Sequence, residues 1–170
     1  MIESLLGLGA ASVLHAALDS TAWRAYESVE EAWIRERHEL LVKYTPAAAG
    51  AAEIDLDLKL AELHRRSMQF KYMLKHNPKQ LRGGVWQLSW LPITDIERAE
   101  LETADTAYRR HERKIRQLSQ GLREHPDYDA FRQAQTRLWK TPEYKEIHRK
   151  YSGRMQELQK MYGRAGLEPS

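Results

Sequence analysis

The clearest pattern in the sequence is a stripe of apolar positions that begins at Leu101 and ends at Leu122. Side chains that favour burial recur there at alternating steps of three and four, the spacing that keeps them on one face of a long helix. The stripe consists of Leu101, Ala104, Tyr108, His111, Ile115, Leu118 and Leu122. A second helix has to cover such a stripe, so the pattern predicts helix-on-helix packing.

A second segment, residues 53–76, carries apolar positions on two faces. One face keeps a four–three rhythm and consists of Leu56, Leu60, Leu63, Ser67, Phe70 and Leu74. At about 100° per residue, the nearly opposite face consists of Ile54, Leu58, Ala61, Met68 and Tyr72. A helix that is apolar on two faces is covered twice, so we expect it at the centre of the domain or at a contact with another subunit.

Capping and stop signals divide the rest of the chain into helices. The predicted helices span residues 2–18, 21–44, 53–76, 94–124, 126–139 and 142–162. The longest begins at a capping box, Thr94 to Glu97, whose side chains satisfy free backbone amides reciprocally. Residues 47–52 are predicted to be a short flexible connection or a weak helical lead-in. Residues 79–93, with Trp86 and Trp90, are the one extended stretch predicted to be non-helical.

Together these elements predict an all-α fold in one domain of residues 1–170. We expect an elongated antiparallel helical bundle of about five helices, with coiled-coil-like packing and one tryptophan-containing loop. Composition agrees, because 42% of the 170 residues are hydrophobic, enough for a modest core. Cysteine is absent, which excludes disulfides, thiolate metal sites and thiol nucleophiles.

Charge is distributed unevenly along the chain, although the formal net charge is only +3. Residues 1–63 carry 5 Lys and Arg against 11 Asp and Glu, while residues 64–170 carry 22 against 13. The acidic first third and the basic remainder can complement each other inside one bundle or between neighbouring copies.

The start of the chain is apolar and free of Asp, Glu, Lys and Arg from Ser4 to Leu18. It lacks the basic start and cleavage pattern of a signal peptide, so none is expected. A helix of this length spans about 22 Å, short of the roughly 30 Å hydrocarbon core of a bilayer. Gly7 and Ala11 are a small-xxx-small pair that lets two helices approach closely. Residues 1–18 are therefore expected to pack in the domain, or to project to a partner or to lipid.

The least random feature of the chain is the absence of acidic residues between Glu62 and Asp95. This stretch combines cations with aromatic side chains, which suits partners that carry phosphate groups. The cations neutralise the phosphates, while the aromatic rings stack on nucleic-acid bases or lie at the depth of the lipid headgroups. The candidate phosphate or lipid contacts are Arg65, Arg66, Lys71, Lys75, Lys79, Arg82, Trp86 and Trp90. The structural alternative is that the tryptophans close the end of the bundle and the cations form a solvated face.

No motif for catalysis or metal binding stands out in the sequence. The 7 histidines form no Glu-x-x-His or His-x-x-x-His pair. No serine lies in a nucleophile elbow, and no glycine-rich loop follows a strand. We therefore expect no enzyme activity, no metal or cofactor and no small-molecule substrate.

The surplus of apolar helical surface favours a non-enzymatic assembly protein that self-associates and joins other protein subunits. The stripe expected at that contact consists of Leu56, Leu60, Leu63, Phe70, Leu74, Leu101, Tyr108, His111, Ile115, Leu118 and Leu122. This function is compatible with a cytoplasmic location or with a place inside a large assembly.

Three alternative functions stay open. A membrane-active component, of the type found inside virions or secretion machines, would contact the membrane peripherally through the apolar N-terminal helix and the tryptophan-rich basic segment. A nucleic-acid-binding protein would use residues 64–90. A toxin antagonist would use the acidic helix over residues 21–44.

Overall fold

The structure, a computed structural model, describes residues 18–163. Within that range it is all-helical and contains no strand. Its α-helices are α1 (Ser20–Tyr44), α2 (Ala49–His76), α3 (Asp95–Ala104), α4 (Thr106–Glu124), α5 (Tyr128–Leu138) and α6 (Pro142–Tyr162). Short 3₁₀ helices lie in the connections at Pro46–Ala48, Pro78–Gln80 and Val85–Ser89. The helix predicted over residues 2–18, with Gly7 and Ala11, lies outside the described residues except for Leu18.

Three α-helices begin at side-chain caps formed by residues just before them in the chain. The Asp19 carboxylate accepts two backbone N–H groups at 2.8 Å and begins α1. The capping box between Thr94 and Glu97 is present and begins α3. The Thr141 side chain caps α6, with Pro142 in its first turn. These boundaries are therefore set by neighbours in the chain rather than by packing.

The prediction of one continuous helix over residues 94–124 is wrong, because the helix is broken at Asp105. This residue is extended, and its carboxylate accepts two backbone N–H groups of the first turn of α4. The Arg109 side chain donates to two carbonyls in the last turn of α3, which the break leaves without helical partners. The break gives six α-helices in the described range, against the expected count of about five.

The structure also decides two predicted connections. Residues 47–52 are a helical lead-in rather than a flexible connection, because a 3₁₀ helix spans Pro46–Ala48 and α2 begins at Ala49. The alanine-rich run has high helix propensity, and Ala48, Ala51 and Ala52 are buried in the same cluster as Phe131 of α5. The stretch over residues 79–93, called the tryptophan loop below, is partly 3₁₀-helical rather than wholly non-helical.

Residue pairs across the helices show which neighbours are antiparallel, since residue numbers rise on one helix as they fall on the other. The pairs are Trp23–Ser67 and Arg37–Asp55 between α1 and α2, Gln69–Tyr108 and Ala61–His111 between α2 and α4, and Glu30–Tyr151 and Trp33–Tyr144 between α1 and α6. The order of neighbours is therefore α6, α1, α2, α4, with α5 packed on α1 and α2. Both apolar faces of α2 are covered within one chain.

Two clusters of buried side chains form the core. The first joins α1, α2, α6 and the tryptophan loop and includes Leu18, Trp23, Phe70, Leu88 and Met155. The second joins α1, α2, α4 and α5 and includes Leu41, Leu58, Ile115, Phe131 and Leu138. Full burial of a large apolar side chain contributes about 1.5–3 kcal/mol, so these clusters fix the helices that carry the surfaces described next.

Candidate functional site

The predicted self-association stripe lies inside the described part of the chain. Its members are buried or half-buried, and none is exposed. Buried are Leu63, Phe70, Leu101, Tyr108, Ile115 and Leu122, and half-buried are Leu56, Leu60, Leu74, His111 and Leu118. Packing within one chain accounts for this burial, and a contact between copies along the stripe stays a prediction.

Two of the predicted phosphate contacts, Arg65 and Arg66, are engaged within the chain. Arg65 lies 3.5 Å from the carboxylate of Glu112 on α4. Arg66 donates to the Tyr26 hydroxyl at 2.8 Å and to the Ser89 carbonyl at 3.1 Å. These guanidinium groups therefore tie α2 to α1, to α4 and to the tryptophan loop.

The other predicted phosphate or lipid contacts are exposed. They are Lys71 and Lys75 on α2, and Lys79, Arg82, Trp86 and Trp90 in the tryptophan loop. Trp86 and Trp90 have 43% and 65% of their surface exposed, whereas Val85 and Leu88 of the same turn are fully buried. Valine and leucine thus close the end of the core, and the two tryptophans do not.

A buried carboxylate, Glu30, joins three helices. The Tyr151 hydroxyl of α6 donates to Glu30 at 2.5 Å, and Arg66 of α2 lies 3.8 Å from the same carboxylate. Burial, followed by the neighbouring carboxylate, raises the pKa of the hydroxyls of Tyr26 and Tyr151, so both stay protonated donors. The members bond to one another, and the network serves to hold α1, α2 and α6 together.

An open groove of about 610 Å³ runs between α2 and α4. The ionisable residues that line it are His64 from α2 and Arg110, His111, Arg113 and Lys114 from α4. No carboxylate is among the described residues that line this groove. Since Met68, Ala107 and Gln117 complete the lining, the groove is cationic with a small apolar part.

Two histidines face each other across this groove. The ring centroids of His64 and His111 are 4.8 Å apart. Nε2 of His111 lies 2.7 Å from the Ala61 carbonyl and carries a proton there, because a carbonyl only accepts. Desolvation, followed by His111, lowers the pKa of His64; two nearby lysines act in the same direction and Glu27 of α1 in the opposite one. The surroundings of His64 thus disfavour protonation of its ring.

A second candidate surface lies where α5 meets α6. Trp139, which directly follows α5, is 62% exposed. With Tyr144, Lys145 and His148 of α6 it lines a shallow cavity with a volume of about 450 Å³. Behind this area the Trp33 ring of α1 meets the rings of Tyr144 and His148 edge-on, with centroids 5.5 and 5.7 Å away. Trp139, Tyr144, Lys145 and His148 are called the α5–α6 aromatic surface.

Side chains of both signs surround the α5–α6 aromatic surface. Glu143 and Glu146 flank Lys145, and Arg149 pairs with Glu146 at 2.8 Å. The neighbouring Tyr44 hydroxyl lowers the pKa of the Glu143 carboxyl. This surface therefore has mixed charge, in contrast to the α2–α4 groove.

Neither surface was predicted from the sequence. Arg110, Arg113 and Lys114 lie off the apolar stripe of α4. The sequence feature that predicts a cationic surface is the absence of acidic residues, and it points to residues 64–90 instead. Trp139 was placed at the end of a predicted helix, with no signal of its exposure. His111 was included only as a member of the stripe.

No protein-family model, no curated protein and no solved structure matches this chain. None of the helices within residues 18–163 is long and apolar enough to cross a membrane. The same residues include no group of three or more His, Asp or Glu side chains placed to hold a metal ion. The α2–α4 groove and the α5–α6 aromatic surface are therefore the candidate functional sites in the described part of the chain.

Proposed function

We propose that this protein is a non-enzymatic helical interaction protein that self-associates through the α5–α6 aromatic surface, as a component of a larger assembly. The observation that carries this proposal is the 62% exposure of Trp139 beside Tyr144. Tryptophan and tyrosine are the residues that most often anchor protein–protein contacts, because truncating them costs the most binding energy. An exposed tryptophan next to other accessible aromatic rings is thus typical of an interface.

Two members of the α5–α6 aromatic surface, Tyr144 and His148, are also held in place before any partner arrives. The Trp33 ring stacks on Tyr151 with centroids 5.0 Å apart, and it contacts Tyr144 and His148. Side chains already fixed by their neighbours lose little conformational freedom on binding, which lowers the cost of association. This order supports a binding role for the surface.

A second copy of the chain is the partner that the charges favour. In a twofold contact a patch meets itself, so both signs have to be present within it. Glu143, Lys145 and Glu146 satisfy this condition at the border of the aromatic surface. The cationic face of α4 would instead repel its own copy.

The test is the molecular mass as a function of concentration, measured by sedimentation velocity on the wild-type chain and on the Trp139→Ala variant. We expect the wild type to be a monomer at low concentration and a dimer at higher concentration. Truncating a central interface tryptophan costs about 2 kcal/mol or more, and a twofold dimer loses one from each copy, so the variant should dimerise about a thousand-fold more weakly.

Trp90→Ala is the matched control, because Trp90 is exposed to a similar extent but lies in the tryptophan loop. This substitution should leave the dimer unchanged, and circular dichroism should show that both variants fold. The proposal fails if the wild type is monomeric at every concentration. It also fails if Trp90→Ala, and not Trp139→Ala, abolishes the dimer.

The exposure of Trp86 and Trp90 favours peripheral membrane contact as a second candidate function. Both rings project from a turn that is anchored by buried Val85 and Leu88, and tryptophan is favoured at the membrane interface. The same two variants test this candidate. Binding to vesicles that contain phosphatidylserine should fall with Trp90→Ala and not with Trp139→Ala, and absence of wild-type binding would refute it.

A further inference from the structure

Within residues 18–163, no carboxylate lines the α2–α4 groove itself, although Glu27 of α1 acts on His64. Glu112 of α4 turns inward to Arg65 of α2, where one of its carboxylate oxygens is buried. Arg110, Arg113 and Lys114 are exposed along the groove, and the adjacent Arg113 and Lys114 lie three and four residues after Arg110. Like charges three or four residues apart on a helix repel each other. A polyanion in the groove would relieve that repulsion.

The groove cations form a row rather than a closed pocket. Arg110 and Lys114 lie about 6 Å apart along α4, at a rise of about 1.5 Å per residue, and the neutral Gln117 continues this face for one more turn. On the facing helix, Lys71 lies two turns beyond His64 and contributes to its electrostatic surroundings. An anion whose charges repeat along its length matches such a row better than a single small anion does.

We infer that the α2–α4 groove binds the phosphate backbone of a nucleic-acid strand. Arginine and lysine meet phosphate oxygens without reading base identity, so binding is expected to be independent of sequence. The rings of His64 and His111 offer surfaces on which exposed bases can stack. This function goes beyond self-association and uses a different face of the molecule.

A lipid surface is the other common source of repeated phosphate groups, but the exposed aromatic residues lie in the wrong place for it. Interfacial membrane binding requires large apolar side chains beside the cations. The 3₁₀ helix that presents Trp86 packs against α1 and α6, and Trp139 follows α5. Neither ring lines the groove, and Met68 is the largest apolar residue that does.

The test is fluorescence anisotropy of a labelled single-stranded oligonucleotide of mixed sequence, titrated with the wild-type chain and with the Arg113→Gln/Lys114→Gln variant. In about 0.1 M salt the variant should bind about twenty-five-fold more weakly, because each lost contact forgoes the release of about 0.7 counterion from a single strand. The slope of log affinity against log salt should become about 1.4 shallower.

Arg137→Gln/Lys140→Gln is the matched control, since it removes the same charge from exposed positions outside the groove. This variant should retain the wild-type affinity within a few-fold. Absence of wild-type binding at low salt overturns the inference, and so does equal weakening in the two variants. Binding to phosphatidylserine vesicles that depends on Arg113 and Lys114, without binding to the oligonucleotide, would identify a lipid partner and also overturn it.

Discussion

At the residue scale, Gly84 is the position where the backbone restricts the amino acid most strongly. Its φ of 73° with ψ of −176° is a conformation that only glycine adopts readily. A Cβ there would lie 2.6 Å from the side-chain nitrogen of Gln159, whose oxygen accepts the Val85 N–H at 2.9 Å. Gly84→Ala should therefore lower the free energy of unfolding by about 2 kcal/mol, measured by chemical denaturation.

Gly121→Ala is the comparison for this substitution. Gly121 lies in α4, and an added Cβ would meet no other residue within 4 Å. Alanine is favoured over glycine inside a helix by about 0.5–1 kcal/mol, so this variant should be more stable than the wild type. If both substitutions changed the free energy of unfolding in the same direction and by a similar amount, the tryptophan loop would not be held against α6 by Gln159.

At the scale of elements, the break at Asp105 shows what hydrophobic periodicity does not reveal. Leu101 and Tyr108 are both buried, as they would be on a continuous helix, so the pattern is unchanged by a one-residue interruption. The capping box of Thr94 and Glu97 was predictable because it acts between residues close in sequence. The local signal for the break was Asp105 itself, since aspartate is a preferred helix cap.

Replacement of Asp105 tests whether this carboxylate starts α4. Asp105→Ala removes the acceptor of two backbone N–H groups and should lower the free energy of unfolding by about 1 kcal/mol. Asp127→Ala is the control, because Asp127 precedes α5 without a side-chain capping bond and should change stability by only a few tenths of a kcal/mol. Urea denaturation followed by circular dichroism measures both. Higher stability of Asp105→Ala would show that a continuous helix is the better packed state.

At the scale of the whole molecule, the fold class could be predicted from the sequence but the candidate sites could not. The two apolar faces of α2 correctly indicated a helix that is covered twice. The pattern does not say whether the covering helices come from the same chain or from a second copy. In this structure α1, α4 and α5 of the same chain cover α2. The meeting of His64 with His111 likewise depends on the register between α2 and α4, which no local pattern specifies.

Salt distinguishes the two proposed surfaces in one experiment, because one is cationic and the other has mixed charge. Three phosphate contacts, from Arg110, Arg113 and Lys114, would give a slope of about −2 for a single strand, so a ten-fold rise in salt should weaken oligonucleotide binding about hundred-fold. Dimerisation through Trp139 should change by less than about three-fold, since screening affects exposed charges and leaves apolar burial intact. Anisotropy and sedimentation over one salt series measure both. If dimerisation weakens as steeply as oligonucleotide binding, charge pairs and not apolar burial hold the dimer, and its assignment to the α5–α6 aromatic surface is wrong.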